Sequence, residues 1–214
     1  MTVQNKVKLV MKEQGKPFNF FGVLRPLLND KGVIFPYTPT IQFSHNANYG
    51  AYDVQGSVYQ QNYYMNTSNP TINVTALFSS NTVDEAKHTA ASLQFFKSCT
   101  KSDFGVASQE TAGTPPPILK FSAYGLVHAS HVPVVLRNFN YTLVEDSDYV
   151  DVDIENGESV TVPTLLLVSI DLVPQIPPKK VKEQFNIRGY ASGSLLRGKN
   201  GCLLYTSPSP RDCQ

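Results

Sequence analysis

GTPPPILKFSAYG, residues 113–125, is the stretch from which the rest of the chain can be read. Pro115, Pro116 and Pro117 fix φ and withhold three backbone N–H groups, so the segment is extended and cannot continue a helix. It delivers the chain into residues 118–124, where apolar and polar side chains alternate as on a strand. Before it lies the chain's one convincing helical pattern, near 82–100. After it, strand patterns run to about residue 173. A single helix among many strands predicts a mainly β fold, a β-sandwich or barrel with one packed amphipathic helix.

The helix signal is local and mechanistic. Thr82-Val83-Asp84-Glu85 has the form of a capping box, in which the Thr82 hydroxyl accepts the Glu85 N–H and the Glu85 carboxylate reaches back. Val83, Ala86, Ala90, Leu93 and Phe96 recur at spacings of three and four and make one apolar stripe. Lys97 and Lys101 suit the negative end of the helix dipole. Cys99 falls on the apolar side and reads as a buried small hydrophobe. His88 falls off the stripe, near Asp84 and Glu85, and reads as a solvated helix residue.

Strand patterns flank this helix on both sides. Ile41, Phe43 and His45 alternate with polar residues, and Ile72, Val74 and Ala76 share a face. Residues 126–135 and 139–144 read as two further strands. Residues 149–154 and 160–162 flank Asn156-Gly157, a strong hairpin signal because a type I′ turn needs positive φ at both central positions. Residues 165–172 are more apolar and read as a strand buried on both faces. Pro174, Pro177 and Pro178 end the sheet.

Composition narrows the function. Eighteen basic against 17 acidic residues leave a formal charge of +1, so no global pull toward nucleic acid or anionic membrane is expected. The longest apolar run is far shorter than the ~20 residues of a membrane span, and no signal-peptide core stands at the start. Partner choice therefore has to come from local surface. Between Pro36 and Pro70 the chain has tyrosines but no Lys or Arg, which suggests a long polar hairpin or loop. Its Tyr rings would supply amphipathic contact area at modest entropy cost. Tyr49, Tyr52, Tyr59, Tyr63 and Tyr64 are the candidate interface residues. Ordinary, partly buried strand tyrosines would give the same pattern.

Reaction chemistry is hard to assemble from this chain, and no catalytic residue, cofactor or metal ligand is assigned. Glu145, Asp146, Asp148, Asp151, Asp153, Glu155 and Glu158 form an acidic cluster whose start resembles a calcium loop. The match fails at Asn156, where glycine is required, and at Val162, where a bidentate Glu belongs. Acid on the solvent face of a hairpin explains the pattern better. His128 and His131 have no acidic or thiol partner near them in sequence to complete a metal site. A glycine loop for phosphate, a nucleophile elbow and HExxH are all missing.

Taken in order, several motifs carry a resemblance. They are FPYTPTI (35–41), NYGAYD (48–53), INVTALF (72–78), EAKHTAASLQFFKS (85–98), GTPPPILKFSAYG, VPVVLRNFNYTL (132–143), DYV (148–150), VPTLLLVSIDL (162–172) and YASGSLLRG (190–198). This series resembles the baseplate tube proteins of contractile-tailed bacteriophages, and within them the tail-tube cap, or tube initiator and junction, proteins of T4-like phages. The resemblance implies a tail-tube fold, a homohexameric ring, and baseplate hub and tail-tube proteins as partners. It also implies a lumen through which genomic DNA passes without specific binding. The location implied is the virion tail baseplate, assembled in the host cytoplasm, with no membrane and no enzymatic activity. A lumen should not hold phosphate, so the acidic hairpin is the candidate lumen or rim element. Two other classes stay open: a receptor- or carbohydrate-binding β-domain, and a cell-wall hydrolase, which would need paired carboxylates in a cleft.

The expected organisation is an N-terminal arm or truncated subdomain at 1–32, a tail-tube-like β domain at 33–178 and a tail at 179–201 anchored by Phe185, Tyr190 and Leu195. Residues 202–214 stand apart. CLLYTSPSPRD back-translates in one frame to a string resembling a transposase-based sequencing adapter, so this end is expected to be an adapter-derived artefact. Cys99 is then the one cysteine of the fold and has no partner for a disulfide.

Overall fold

The computed structural model describes residues 6–11, 20–53, 55–102, 113–125, 129–145, 147–153, 159–175 and 186–192. Before the helix come β1 (Lys8–Met11), a 3-10 helix (Gly22–Leu27), β2 (Gly32–Ile34), β3 (Thr40–Ser44), β4 (Ala47–Tyr52), β5 (Gln61–Thr67) and β6 (Thr71–Ser79). Helix α1 (Val83–Cys99) follows, then β7 (Leu119–Gly125), β8 (Ala129–Leu143), β9 (Tyr149–Asp153), β10 (Ser159–Pro163) and β11 (Leu165–Pro174). A one-turn helix, α2 (Ile187–Ala191), comes last.

Seven strands form one antiparallel sheet in the order β2-β1-β7-β8-β11-β6-β3. The fold is thus mainly β, and this sheet is open, with β2 and β3 at its edges. Alternation gives it one buried face. Ile72, Val74, Ala76 and Phe78 of β6 lie beside Leu166, Val168, Ile170 and Leu172 of β11, and Val132, Val134, Leu119, Phe121 and Leu9 continue the layer. Each large side chain buried there contributes about 1.5–3 kcal/mol before entropy is subtracted.

Helix α1 lies on that face. Phe95, Phe96, Ala91 and Cys99 join the core, and Phe96 meets Phe35, Phe95 and Phe139 at ring-centroid distances of 6.4, 6.0 and 5.3 Å. The N-terminus is capped as its sequence predicts: Thr82 Oγ1 accepts the Glu85 N–H at 3.3 Å and Glu85 Oε2 accepts the Asn81 N–H at 3.0 Å. The apolar stripe is broader than the spacing rule allows. Val83 is exposed, while Ala91 and Phe95 are buried along with Thr89 and Ser92, because the helix is covered on two sides. It packs on β2, β6 and β8 of the sheet and also against the 3-10 helix and the β9–β10 pair. Thr89 and Ser92 are satisfied there through Ser80 Oγ at 3.2 Å and the His88 carbonyl at 2.7 Å.

Three expectations are corrected. Residues 6–11 and 20–32 are no separate arm: β1 is an interior strand paired with both β2 and β7, and Val7, Leu9, Met11 and Leu27 are core residues. Strand β11 is buried on one face only, since Leu165 and Leu167 remain 40% and 39% exposed on the other. The two strands expected at 126–135 and 139–144 are one, β8, with a bulge where its register against β11 shifts between Asp171 and Leu172. The Asn156-Gly157 turn lies outside the described residues, but β9 and β10 pair antiparallel around it as expected. Phe185, Leu195 and the 202–214 segment also lie outside them, and Tyr190 is exposed on α2.

Candidate functional site

The edge pair β3–β6 leaves the body of the sheet as a second pair. Strand β4 follows β3 after two residues, β5 leads into β6, and β4 and β5 pair with each other. At about 3.3 Å per residue, the six residues of β4 carry this hairpin roughly 20 Å. Asn48 fastens its base by donating to Asn66 Oδ1 at 2.7 Å and Ser68 Oγ at 2.8 Å, and the Ser68 N–H donates to the Asn46 carbonyl at 2.9 Å. Beyond that base every described hairpin residue except the half-buried Gly50 is exposed.

Register then sorts the tyrosines. Tyr49 sits opposite Tyr64 and their rings meet edge to face at 5.9 Å, while on the other face Tyr63 sits opposite Gly50 and its ring tilts against Tyr52 at 6.1 Å. Gly50 leaves room for that ring, since an added Cβ would stand 2.6 Å from Tyr63 Cζ and push the exposed ring aside. Tyr52 donates to Gln61 Oε1 at 2.7 Å, and Tyr59 lies in the loop at the tip. The five candidate tyrosines are thus together on one element, with exposures of 50 to 82%. They form two aromatic faces with neither packed on the chain's own core. A lone two-stranded hairpin is marginal in water.

The acidic candidates divide. Val152 and Val162 are buried beneath the β9–β10 pair, which turns Asp151 and Asp153 outward. Thr161 donates to Asp151 Oδ1 at 2.6 Å. Glu145 and Asp148 are exposed on either side of the turn between β8 and β9. Asp146, Glu155 and Glu158 lie outside the described residues, as does His128. Among the described residues no three His, Cys, Asp or Glu side chains converge as metal ligands, and no helix is long and apolar enough to cross a membrane.

A cleft of about 520 Å³ opens between the 3-10 helix, the first half of α1 and the β9–β10 pair. Arg25, Lys87, His88, Asp84 and Asp153 line it together with Val23, Pro26, Ala90, Val152 and Val160. No Ser, Thr or Cys is among its described lining residues. His88 is half-buried, a correction to its expected solvation, and its ring stacks on Phe78 at 6.4 Å and 19°. Burial pushes its pKa below the ordinary imidazole value, partly offset by the Asp30 carboxylate. Burial likewise pushes the Cys99 thiol up, so it is held as an unreactive thiol. Sequence reading missed this cleft because its walls come from three remote parts of the chain, and only His88 stood out by residue type.

What the geometry defines is a mainly β protein whose β4–β5 hairpin carries exposed tyrosines on both of its faces. No protein family matches the chain, and no curated protein matches it.

Proposed function

We propose that this chain is a structural virion protein of a contractile-tailed phage, a baseplate subunit that caps the hub and nucleates or joins the tail tube as a homohexameric ring. The observation that carries the reading is the β4–β5 hairpin: a stalk of uncharged polar residues with tyrosines on both faces and no support from its own core. Such an element is stable and selective when it lies against another protein, where Tyr is favoured because it offers large area for few rotors. The motif order from 35 to 198 supports the same reading.

Partners in this reading are further copies of the chain, the hub and the tube protein. The test is electron microscopy of the purified full chain, alone and with the hub and tube proteins encoded beside its gene. Closed sixfold annuli support the reading. A gene flanked by no tail genes, with particles that stay single in every mixture, contradicts it.

Tyrosine exposure also favours a second reading, a carbohydrate-binding β-domain, in which the rings of Tyr49 and Tyr64 stack on sugar faces. Titration with cell-surface polysaccharide separates the two, since saturable quenching of tyrosine fluorescence is expected only for the second.

A further inference from the structure

The open face of the main sheet carries a basic corner. Lys8 lies opposite Ser122, and Lys120 is two residues along β7 on the same face. The His131 N–H donates to Ser122 Oγ at 3.2 Å. Its imidazole is close enough to Lys8 and Lys120 that both, after burial itself, lower its pKa. The corner is held by an irregular β7–β8 register, with Tyr124 and His131 at φ of 51° and 55°. Asp171, on the same face, is held by Asn73 and Asn138, which donate to it at 2.6 and 3.3 Å. Asn138 is seven residues along β8 from His131, roughly 20 Å away.

The acidic surface lies elsewhere on the chain. With Val152 and Val162 buried, Asp151 is exposed on the other face of the β9–β10 pair, and Asp148 is exposed just before β9. Lys120 pairs with Pro133 near the start of β8, whereas the β9–β10 pair follows the other end of that strand at Leu143. Ten residues of strand separate Pro133 from Leu143, roughly 33 Å and well beyond the ~8 Å screening length at physiological salt. Within one chain the two patches are held apart, but two neighbouring copies can bring them together. A contact between unlike patches is heterologous and repeats with a fixed rotation, which is the kind of contact a ring or a stack of rings needs.

We propose that the corner of Lys8, Lys120 and His131 receives Asp148 and Asp151 from the β9–β10 hairpin of a second copy of this chain. The proposal rests on the ring reading above and assigns one of its contacts. Duplex phosphate fits the corner less well, because two lysines beside a neutral imidazole, on one edge of a chain of net charge +1, give little counterion release.

The experiment uses two charge-reversed full-length variants, Asp148→Lys with Asp151→Lys, and Lys8→Glu with Lys120→Glu, each checked for an unchanged melting temperature. Sedimentation at 50 mM and 500 mM salt is expected to show self-association of the wild type that weakens with salt. Each variant alone should associate about tenfold more weakly or less. Mixing the two variants should restore association, since each supplies the patch the other lacks. Association unchanged in both variants overturns this contact and leaves the ring reading standing. A wild type that stays monomeric at every concentration overturns it too, and the ring reading is then decided separately by assembly on the hub. Loss of binding to a 30-base-pair duplex in the Lys8→Glu/Lys120→Glu variant, without loss of self-association, would assign the corner to phosphate instead.

Discussion

Tyr49 and Tyr64 face each other across the β4–β5 hairpin with ring centroids 5.9 Å apart and planes at 73°, yet both rings remain more than half exposed. Their mutual contact is worth about 0.5–1.5 kcal/mol, enough to order the hairpin but too little to explain five exposed tyrosines on one element. The first prediction follows. Tyr49→Ala with Tyr64→Ala should leave the thermal midpoint of the body unchanged within about 2 °C, because no core residue is touched. The same pair should abolish association with the partner or with other copies, measured by sedimentation. A large loss of stability with association intact would mean that the hairpin serves the fold.

Much of the fold was legible because its signals are local. The Thr82–Glu85 box and the alternation of Ile72, Val74, Ala76 and Phe78 each depend on neighbours within a few residues. Strand β1 was not legible: four residues gain their meaning from β7, more than 100 positions later. Leu165–Leu167 misled because a run of leucines reads the same whether one face or both are covered. The tyrosine hairpin was visible in composition, but its projection from the sheet edge was not. His88 was misread since the Phe78 ring that covers it comes from a neighbouring strand.

Strand β1 gives the second prediction. At Gly32 an added Cβ would collide with the Leu9 carbonyl and stand 2.6 Å from Val10 Cα, and neither can rotate away. Gly32→Ala should therefore spread the β1–β2 pair and cost about 1–3 kcal/mol in urea unfolding. Phe96→Ala, which empties the contact between α1, Phe35 and Phe139, should cost about 3–5 kcal/mol.

Capping supplies the third. Thr82→Ala removes the acceptor for the Glu85 N–H and should cost about 1 kcal/mol. Thr82→Ser should restore most of it, and urea denaturation followed at 222 nm measures both.

Acid stability supplies the fourth. Burial disfavours the His88 imidazolium in the folded chain, and His131 is shifted the same way by burial, Lys8 and Lys120. The unfolded chain therefore binds these protons first. Stability from this source is complete above the ordinary value of 6.5 and declines as the pH falls below it, until the folded imidazoles protonate as well. His88→Gln should flatten part of that decline below about pH 6.5, read as the pH dependence of the urea midpoint. An unchanged slope would place His88 in solvent.

The account stands on the hairpin being covered in the assembled state. Nitration of the full chain with tetranitromethane, followed residue by residue by mass spectrometry, measures this directly, before and after assembly with the hub and tube proteins. The account predicts that Tyr49, Tyr52, Tyr59, Tyr63 and Tyr64 react readily in the free chain and become protected together in the annulus, while Tyr190 stays reactive. Annuli in which all five hairpin tyrosines react as fast as in the free chain would contradict it.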